Sequence, residues 1–392
     1  MTDQLQPTAE ERDELVATRR DVHAHPELKY EETRTAALVD ERLRGLGYAT
    51  ETGVGKTGVV TVLEGSAPGP CVLLRADMDA LPLQEQNDVP YASTHAGIMH
   101  ACGHDGHVAM ALGAARILQR VERPARGSIK LIFQPAEEGG NGAVAMIEDG
   151  VLESPKVDAA FGIHLWNHLE VGKIAIVDGP FMASVDEFVI RVRGVGGHGA
   201  MPHEARDPVL AAAHVVTALQ QIASRNVSPM GSVVVTIGAI HGGEAFNIIP
   251  DVVELRGTAR SFDEDTWAAL PEQIERVVQG TVAAFDCTAE IDLERMMRPT
   301  INDPAMAELV REVARDVVGP ENIVEERTMA GEDFAEIIAR VPGCYFFVGS
   351  RNEAEGKVHP HHSPHFDIDE GALPIGARML AGIAHRFLER DT

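Results

Sequence analysis

One short stretch of the chain concentrates side chains that can bind a metal ion. The segment "HACGHDGH", residues 100–107, contains three of the 17 histidines and one of the four cysteines of the chain. Thiolate and imidazole groups are ligands for borderline divalent ions such as zinc. A histidine-rich surface loop could also contain a Cys-x-His pair, so a metal site requires further ligands from elsewhere in the chain.

Composition limits the kind of protein that could carry such a site. A chain of 392 residues predicts two domains, because a single hydrophobic core rarely grows beyond about 250–300 residues. There are 60 acidic and 34 basic residues, and the net charge of -26 argues against nucleic acid or an anionic membrane as a partner. No signal peptide, membrane span or disulfide framework is visible, which predicts a cytoplasmic protein.

Polar side chains follow several short apolar runs at the point where each run ends. Asp77 and Asp79 follow the run "CVLL", Glu137 and Glu138 follow "SIKLIF", and His164 ends "AAFGIH". Such runs predict buried strands, and the helical patterns between them predict an α/β fold with a mostly parallel sheet flanked by helices. Because ligands bind at the carboxyl edge of such sheets, these side chains are expected to converge.

The middle of the chain has a different pattern. From residue 183 to 298 the predicted order of elements is β-α-β-β-α-β, which is typical of a ferredoxin-like α+β fold. We therefore predict an inserted domain at 183–298 and an α/β domain formed by residues 1–182 and 299–392.

A second histidine-rich segment, "HPHHSPHF" at residues 359–366, supplies another candidate ligand. A solvated loop is the alternative interpretation of this segment. Together the candidates offer one thiolate, three imidazoles and one carboxylate, from Cys102, His104, His164, His362 and Glu138. Five ligands exceed the need of one tetrahedral ion with an open position, but they suit two ions that share a ligand. Glu137 then remains available as a general acid/base.

At this level of detail the chain resembles the di-metal amidohydrolases of the aminoacylase and carboxypeptidase superfamily. The most similar branch is that of hippurate hydrolase and indole-acetyl-amino-acid hydrolase. The resemblance covers essentially the whole chain, and the shared motifs occur in order: "RRDVHAHPEL", "LLRADMDALP", "HACGHDGH", "FQPAEEGGNGA", "FGIHLW", "GVGGHGAMPHEARDP", "AFNIIPD", "RGTARSF", "AGEDF" and "HHSPHFD".

The resemblance assigns a role to each candidate ligand. Cys102 is similar to a bridging thiolate, His104 and His164 to ligands of one ion, and Glu138 and His362 to ligands of the other. The neighbouring Glu137 is similar to the general acid/base. The wider superfamily has histidine at position 77 and a bridging aspartate at position 102, so this branch departs from it at both places. His361 competes with His362 for the last ligand position.

The resemblance also assigns roles outside the ligand set. Asp79 matches an aspartate that braces the site. The inserted domain resembles a lid and dimerisation domain in which His198 reaches the active site of the partner subunit and stabilises the oxyanion. Asn247 and Arg260 match residues that contact the substrate, and Gly331 matches the backbone that receives its carboxylate. A homodimer is therefore expected, with a tetramer as the alternative.

The function that these features favour is metal-dependent hydrolysis of the amide bond of N-acyl amino acids, either hippurate-like or N-acetylated. The resemblance implies two divalent ions per subunit, with manganese, zinc, nickel and cobalt as candidates, and a metal-bridging hydroxide that attacks the acyl carbonyl. A dipeptidase or carboxypeptidase with the same chemistry is the nearest alternative, and a non-catalytic ligand-binding relative is a more distant one.

Overall fold

A computed structural model of the chain describes residues 4–121 and 123–390. Its strands, numbered in chain order, are β1 Thr50–Val54, β2 Gly58–Glu64, β3 Cys71–Asp77, β4 Ser128–Gln134, β5 Ala159–Glu170, β6 Ile174–Ala175, β7 Gly179–Met182, β8 Val185–Arg193, β9 Gly197–His198, β10 Val233–His241, β11 Ile248–Ile249, β12 Val252–Ser261, β13 Thr288–Met297, β14 Thr300–Asn302, β15 Ile323–Val324 and β16 Gly343–Arg351. Its α-helices are α1 Ala9–Ala24, α2 Thr33–Gly45, α3 His104–Arg120, α4 Gly142–Glu148, α5 Pro208–Gln221, α6 Glu264–Ala283, α7 Pro304–Val318, α8 Ala335–Ile338 and α9 Ala372–Arg390.

The chain divides into two compact units. The larger unit contains the described residues up to Gly179, the segment Ile301–Arg327 and the described residues from Asp333 onward. The smaller unit contains Pro180–Thr300 and the short segment Thr328–Glu332. The roles predicted for the two parts of the chain, a catalytic domain and a lid or dimerisation domain, are taken up below as part of the proposed function.

The larger unit is built on an eight-stranded sheet in the order β1-β2-β4-β3-β5-β16-β6-β15. The central pairs β4–β3, β3–β5 and β5–β16 are parallel, whereas β1–β2 and β2–β4 are antiparallel. Every residue of β3 and β4 is buried, as expected for strands covered on both faces. The predicted α/β class with a mostly parallel sheet is confirmed.

Helix α3 brings the "HACGHDGH" segment against β5. The helix begins directly after Gly103, which adopts the left-handed conformation (φ 93°) that glycine reaches without strain. At Gly106 an added Cβ would lie 2.3 Å from Leu165 Cδ1, so helix and strand approach closely and a larger residue would displace the Leu165 side chain. Consequently His104, the first residue of α3, is fully buried at the carboxyl edge of the sheet.

The smaller unit is a four-stranded antiparallel sheet in the order β10-β12-β8-β13, covered by α5 and α6. Its chain order, β8-α5-β10-β12-α6-β13, is the predicted ferredoxin-like arrangement. Inward-facing residues of β8 alternate with less buried ones, and Phe188, Ile190 and Val192 join the core beneath the helices.

A helix that crosses a lipid bilayer needs about 20 predominantly apolar residues. Within residues 4–121 and 123–390, no helix is both long enough and apolar enough to traverse a membrane.

Candidate metal centre

Five of the predicted site residues form two adjoining groups of potential metal ligands. Cys102, His104 and His164 make up one group, and Cys102, Glu138 and His362 make up the other. Within each group the ligand atoms all lie within 4.8 Å of one another. The thiol of Cys102 therefore belongs to both groups, which is the position that a ligand shared by two ions requires.

The orientation of His104 leaves one ring nitrogen available for a metal ion. Its Nδ1 donates a hydrogen bond to the backbone oxygen of Asp79 at 2.8 Å. A neutral imidazole that carries its proton on Nδ1 has a lone pair on Nε2. That Nε2 is buried and has no hydrogen-bond partner in the structure. Because a buried polar atom without a partner is costly, this nitrogen fits a metal ligand.

His164 is oriented by the same principle. Its Nδ1 donates to the backbone oxygen of Leu165 at 2.6 Å, and its Nε2 lies 3.5 Å from Cys102 Sγ. The backbone therefore holds the proton on Nδ1 and directs the lone pair of Nε2 towards the thiol. Imidazole and thiolate of this pair can serve one ion, as the first ligand group requires.

The second group is completed by a loop residue in an unusual backbone conformation. His362 adopts a left-handed conformation (φ 62°), and its backbone N–H donates to the oxygen of Ala101 at 2.8 Å. Its Nε2 lies 3.2 Å from Glu138 Oε1. Holding a non-glycine residue with positive φ is uncommon, and here it brings an imidazole to the carboxylate of Glu138.

His361, the competing ligand candidate, faces a different neighbour. Its Nε2 donates to the backbone oxygen of Leu165 at 2.9 Å, and its ring stacks on Trp166 with a centroid distance of 4.7 Å. The structure therefore brings His362, rather than His361, to Cys102 and Glu138. The adjacent His361 anchors the loop that carries it.

Asp79 holds the backbone of both glutamates at this edge of the sheet. Its Oδ1 accepts from the Glu137 N–H at 3.0 Å, and its Oδ2 accepts from the Glu138 N–H at 2.9 Å. The buried Glu137 side chain forms a further ligand-type group with His104 and Glu138. A carboxylate in this position can exchange a proton with a water at the centre without itself being one of the five predicted ligands.

Asp77 supports the site from behind through His107. His107 Nδ1 donates to Asp77 Oδ1 at 2.6 Å, and its Nε2 accepts the backbone N–H of Leu165 at 2.9 Å. Both ring nitrogens of His107 are therefore engaged, which fits a supporting role. The third histidine of the "HACGHDGH" segment thus fixes the strand residue that follows His164.

Sequence analysis missed the buried cation behind these residues. Arg75 is 1% exposed, and its Nη1 donates to Asp77 Oδ2 at 2.5 Å. Its Nη2 donates to Asp333 Oδ1 at 2.9 Å, and its Nε donates to Gln134 Oε1 at 2.9 Å. The available signal was an arginine inside the apolar run "VLLRAD", since a buried arginine requires charged or polar partners.

The electrostatics of the cluster suit a cation. Burial acts to lower the pKa of His104, but the carboxylates of Asp77 and Asp79 outweigh it and raise the pKa to about 10. Burial, together with the negative charge of Glu138, raises the pKa of Cys102 well above its usual range. A divalent ion would offset the negative charge and displace the protons of the Cys102 thiol and of His104 Nε2. The donor set therefore fits metal binding.

Two predicted residues lie on or beside a two-stranded antiparallel sheet of the smaller unit, formed by β9 and β11. His198 in β9 pairs with Ile248 in β11, and the Gly199 N–H donates to the Asn247 oxygen at 2.8 Å. Both His198 and Asn247 are exposed. The Ala200 N–H donates to His198 Nδ1 at 3.0 Å, so the neutral ring carries its proton on Nε2 and can donate it to an acceptor.

The other two predicted residues of the smaller unit are less exposed. Arg260 lies near the end of β12, where burial lowers the pKa of its guanidinium and the charge of Asp186 opposes this shift. At Gly331 an added Cβ would lie 2.2 Å from Val185 Cγ2. A larger residue at position 331 would therefore require the Val185 side chain to shift.

Fold and ligand cluster together define a metal-dependent amide hydrolase. The sequence model of the Peptidase family M20/M25/M40 matches residues 73–386. The chain belongs to this family, which confirms the resemblance seen in its motifs.

Known relatives extend over nearly the whole chain. It is 41% identical to the IAA-amino acid hydrolase ILR1-like 4 of Arabidopsis thaliana, over 96% of this chain and 86% of the relative. It is 42% identical to thermostable carboxypeptidase 1 of Saccharolobus solfataricus, over 96% of this chain and 95% of the relative. The crystal structure of the Bacillus subtilis YXEP protein, described as a dinuclear metal binding peptidase, superimposes with a TM-score of 0.86 at 34% identity, over 97% of this chain and 99% of that one.

Proposed function

We propose that the protein hydrolyses the amide bond of N-acyl amino acids, releasing a carboxylic acid and a free amino acid. The observation that carries this proposal is the pair of ligand groups that share Cys102, with Glu137 beside them. The relative named as an IAA-amino acid hydrolase supports the substrate class. Hippurate-like and N-acetylated amino acids are the substrates to be tested first.

In this proposal Cys102, His104, His164, Glu138 and His362 hold two divalent ions, with manganese, zinc, nickel or cobalt as candidates. When bound, the ions supply a Lewis acid and activate water for attack on the acyl carbonyl. Glu137 takes up the proton of that water and delivers it to the amine that leaves. Asp79 keeps the two adjacent glutamates in separate roles, because it fixes the backbone N–H of each.

The smaller unit serves as the lid and dimerisation domain in this proposal. His198 donates from Nε2 to the developing oxyanion in the active site of a partner subunit, and the hydrogen bond at its Nδ1 sets the required tautomer. Asn247 and Arg260 contact the substrate, and the backbone at Gly331 receives its carboxylate. The working assembly is therefore a homodimer, with a tetramer of such dimers as the alternative.

Removal of the metal is expected to abolish activity towards hippurate and N-acetyl amino acids. A chelator-treated sample should regain activity when manganese, zinc, nickel or cobalt is added singly, because the ligand set accepts all four and geometry decides which one is most effective. Activity of the metal-free protein at the level of the untreated one, with metal loss verified by elemental analysis, would contradict the proposal.

A peptidase is the second candidate, because the similar protein of Saccharolobus solfataricus is named a carboxypeptidase. The two candidate enzymes would use the same chemistry. Their substrates differ in the acyl side of the amide, which is a simple carboxylic acid in an N-acyl amino acid and another amino acid in a peptide. A panel that compares N-acyl amino acids with dipeptides and C-terminally extended peptides, each by kcat/KM, separates them. We expect the N-acyl amino acids to be the better substrates. No turnover of either class would favour a ligand-binding relative.

Cys102 is expected to react with a thiol reagent in the metal-free protein at alkaline pH, slowly because burial raises the pKa of its thiol, and to be protected in the metal-loaded protein, because a bound ion occupies the thiolate. The measurement is labelling in both states, read by peptide mass mapping. Cys71, Cys287 and Cys344 are also buried and serve as internal controls for changes in global exposure. Equal labelling of Cys102 in both states would remove it from the ligand set.

A further inference from the structure

The segment "PELKYEE", residues 26–32, lies outside the ligand set but contacts the loop that carries the two glutamates. Within it, Glu27 satisfies the first turn of α2: its Oε1 accepts from the Arg34 N–H at 2.9 Å, and its Oε2 accepts from the Thr35 N–H at 2.8 Å. Glu32 occupies the capping position of α2 but makes no side-chain hydrogen bond to that helix. The carboxylate of Glu32 is therefore available for another purpose.

Glu32 is fully buried, and both of its oxygens are bound. Its Oε1 accepts from the Ala136 N–H at 2.9 Å, and its Oε2 accepts from the Thr57 hydroxyl at 2.5 Å. Taking a carboxylate out of water is costly unless it is hydrogen-bonded. The contact with Ala136 joins two segments that are far apart in the chain.

Ala136 is the residue directly before Glu137, and it adopts the left-handed conformation (φ 54°). Residues with a Cβ rarely adopt this conformation unless their surroundings enforce it. Two carboxylates hold three consecutive amides here: Glu32 binds the N–H of Ala136, and Asp79 binds those of Glu137 and Glu138. Glu32 thus fixes the turn from which the Glu137 side chain departs.

We propose that Glu32 is a positioning residue for Glu137, because it holds the Ala136 peptide in the conformation that directs the Glu137 carboxylate to the metal centre. This inference rests on the proposed function, in which Glu137 moves the proton. It gives residues 26–32 a part in the reaction, although this segment is far from Glu137 along the chain.

Replacing Glu32 with Leu is expected to lower kcat by about 10–100-fold, the usual effect of losing a residue that orients a metal-site group. KM and the number of bound ions should change little, because Asp79 and the ligands remain. Glu31→Leu is the matched control, since Glu31 is the exposed neighbour, and it should retain normal kcat. A loss of kcat equal in both variants, or an unchanged kcat in Glu32→Leu, would overturn the inference.

Two rescue variants separate positioning from a general loss of stability. Glu32→Gln keeps a carbonyl oxygen for the Ala136 N–H and should retain most of the activity. Adding Ala136→Gly to Glu32→Leu should restore part of kcat, because glycine adopts positive φ without a clamp. The inference would be overturned if Glu32→Gln lost activity like Glu32→Leu and Ala136→Gly also failed to restore kcat. If Glu32→Leu does not fold, Thr57→Val removes only the donor that orients Glu32, and it should lower kcat in the same direction by a smaller factor.

Hydrogen exchange tests the clamp without any substrate. The peptide containing residues 136–138 should exchange faster in Glu32→Leu than in the unchanged protein and in Glu31→Leu, with the exchange of other core peptides unaltered. Unchanged exchange in that peptide would overturn the inference even if the enzyme is active. Faster exchange in an enzyme whose activity does not need Glu137 would instead place the failure in the proposed function.

Discussion

The variant Glu137→Gln is expected to bind metal normally and to lose activity by about 10²–10⁴-fold, the usual contribution of a general acid/base. The amide has almost the same volume as the carboxylate, and the backbone N–H of residue 137 keeps its hydrogen bond to Asp79. The loss should therefore lie in kcat rather than in folding. Steady-state kinetics on hippurate, combined with elemental analysis of the same sample, measures both quantities.

Glu138→Gln is the matched control, because it makes the same chemical change in the adjacent residue. Glu138 is the carboxylate that lies 3.2 Å from His362, so this variant should lose bound metal as well as activity. If Glu137→Gln loses metal and Glu138→Gln keeps it, the proposed roles of the two glutamates are reversed.

Replacing His198 with Ala is expected to lower kcat by about 10²–10³-fold, as the removal of one oxyanion donor typically does. The exposed side chain of His198 and the acceptor role of its Nδ1 are consistent with a donor at Nε2. His203→Ala is the control and should retain activity, since this exposed histidine lies shortly after His198 in the chain. Normal activity of His198→Ala would exclude the oxyanion role.

A mixing experiment tests whether His198 acts in the active site of the partner subunit. Glu137→Ala and His198→Ala protomers, each inactive alone, are combined and allowed to exchange. In a mixed dimer one site then has both lesions and the other has neither. Random pairing of equal amounts makes about half the dimers mixed, so roughly a quarter of all sites should recover. If mass measurement shows exchange and no activity returns, His198 serves its own chain or has no catalytic role.

Periodicity and strand ends predicted most of the architecture that carries the site. Asp77, Asp79, Glu137 and Glu138 were expected at the carboxyl edge of the sheet. There Asp77 ends β3, and the other three follow β3 and β4. The rule works because neighbouring strands of a parallel sheet end at the same edge. The sequence also predicted the ferredoxin-like order of the smaller unit, because buried and exposed residues alternate in its strands and its helices are amphipathic.

Local geometry was beyond such rules. The choice between His361 and His362 depends on a left-handed residue. The orientation of the His104 and His164 rings depends on backbone oxygens that accept from Nδ1. The role of Glu32 was hidden for a related reason. Glu32 binds a residue that lies 104 positions further along the chain, and no local pattern in the sequence indicates such a contact.

The membership of Cys102 in both ligand groups has a thermodynamic consequence. On the proposed ligand set, the first ion to bind must displace a proton from a buried thiol whose pKa burial and Glu138 have raised. The second ion then meets a thiolate that is already formed. Binding at the two positions is thus linked, and the linkage is reciprocal. Each ion removes the free-energy cost of deprotonating the thiol for the other ion, and it opposes the other ion by charge repulsion. Where the gain exceeds the repulsion, half-loaded protein is a minor species during a metal titration, and the two ions load together.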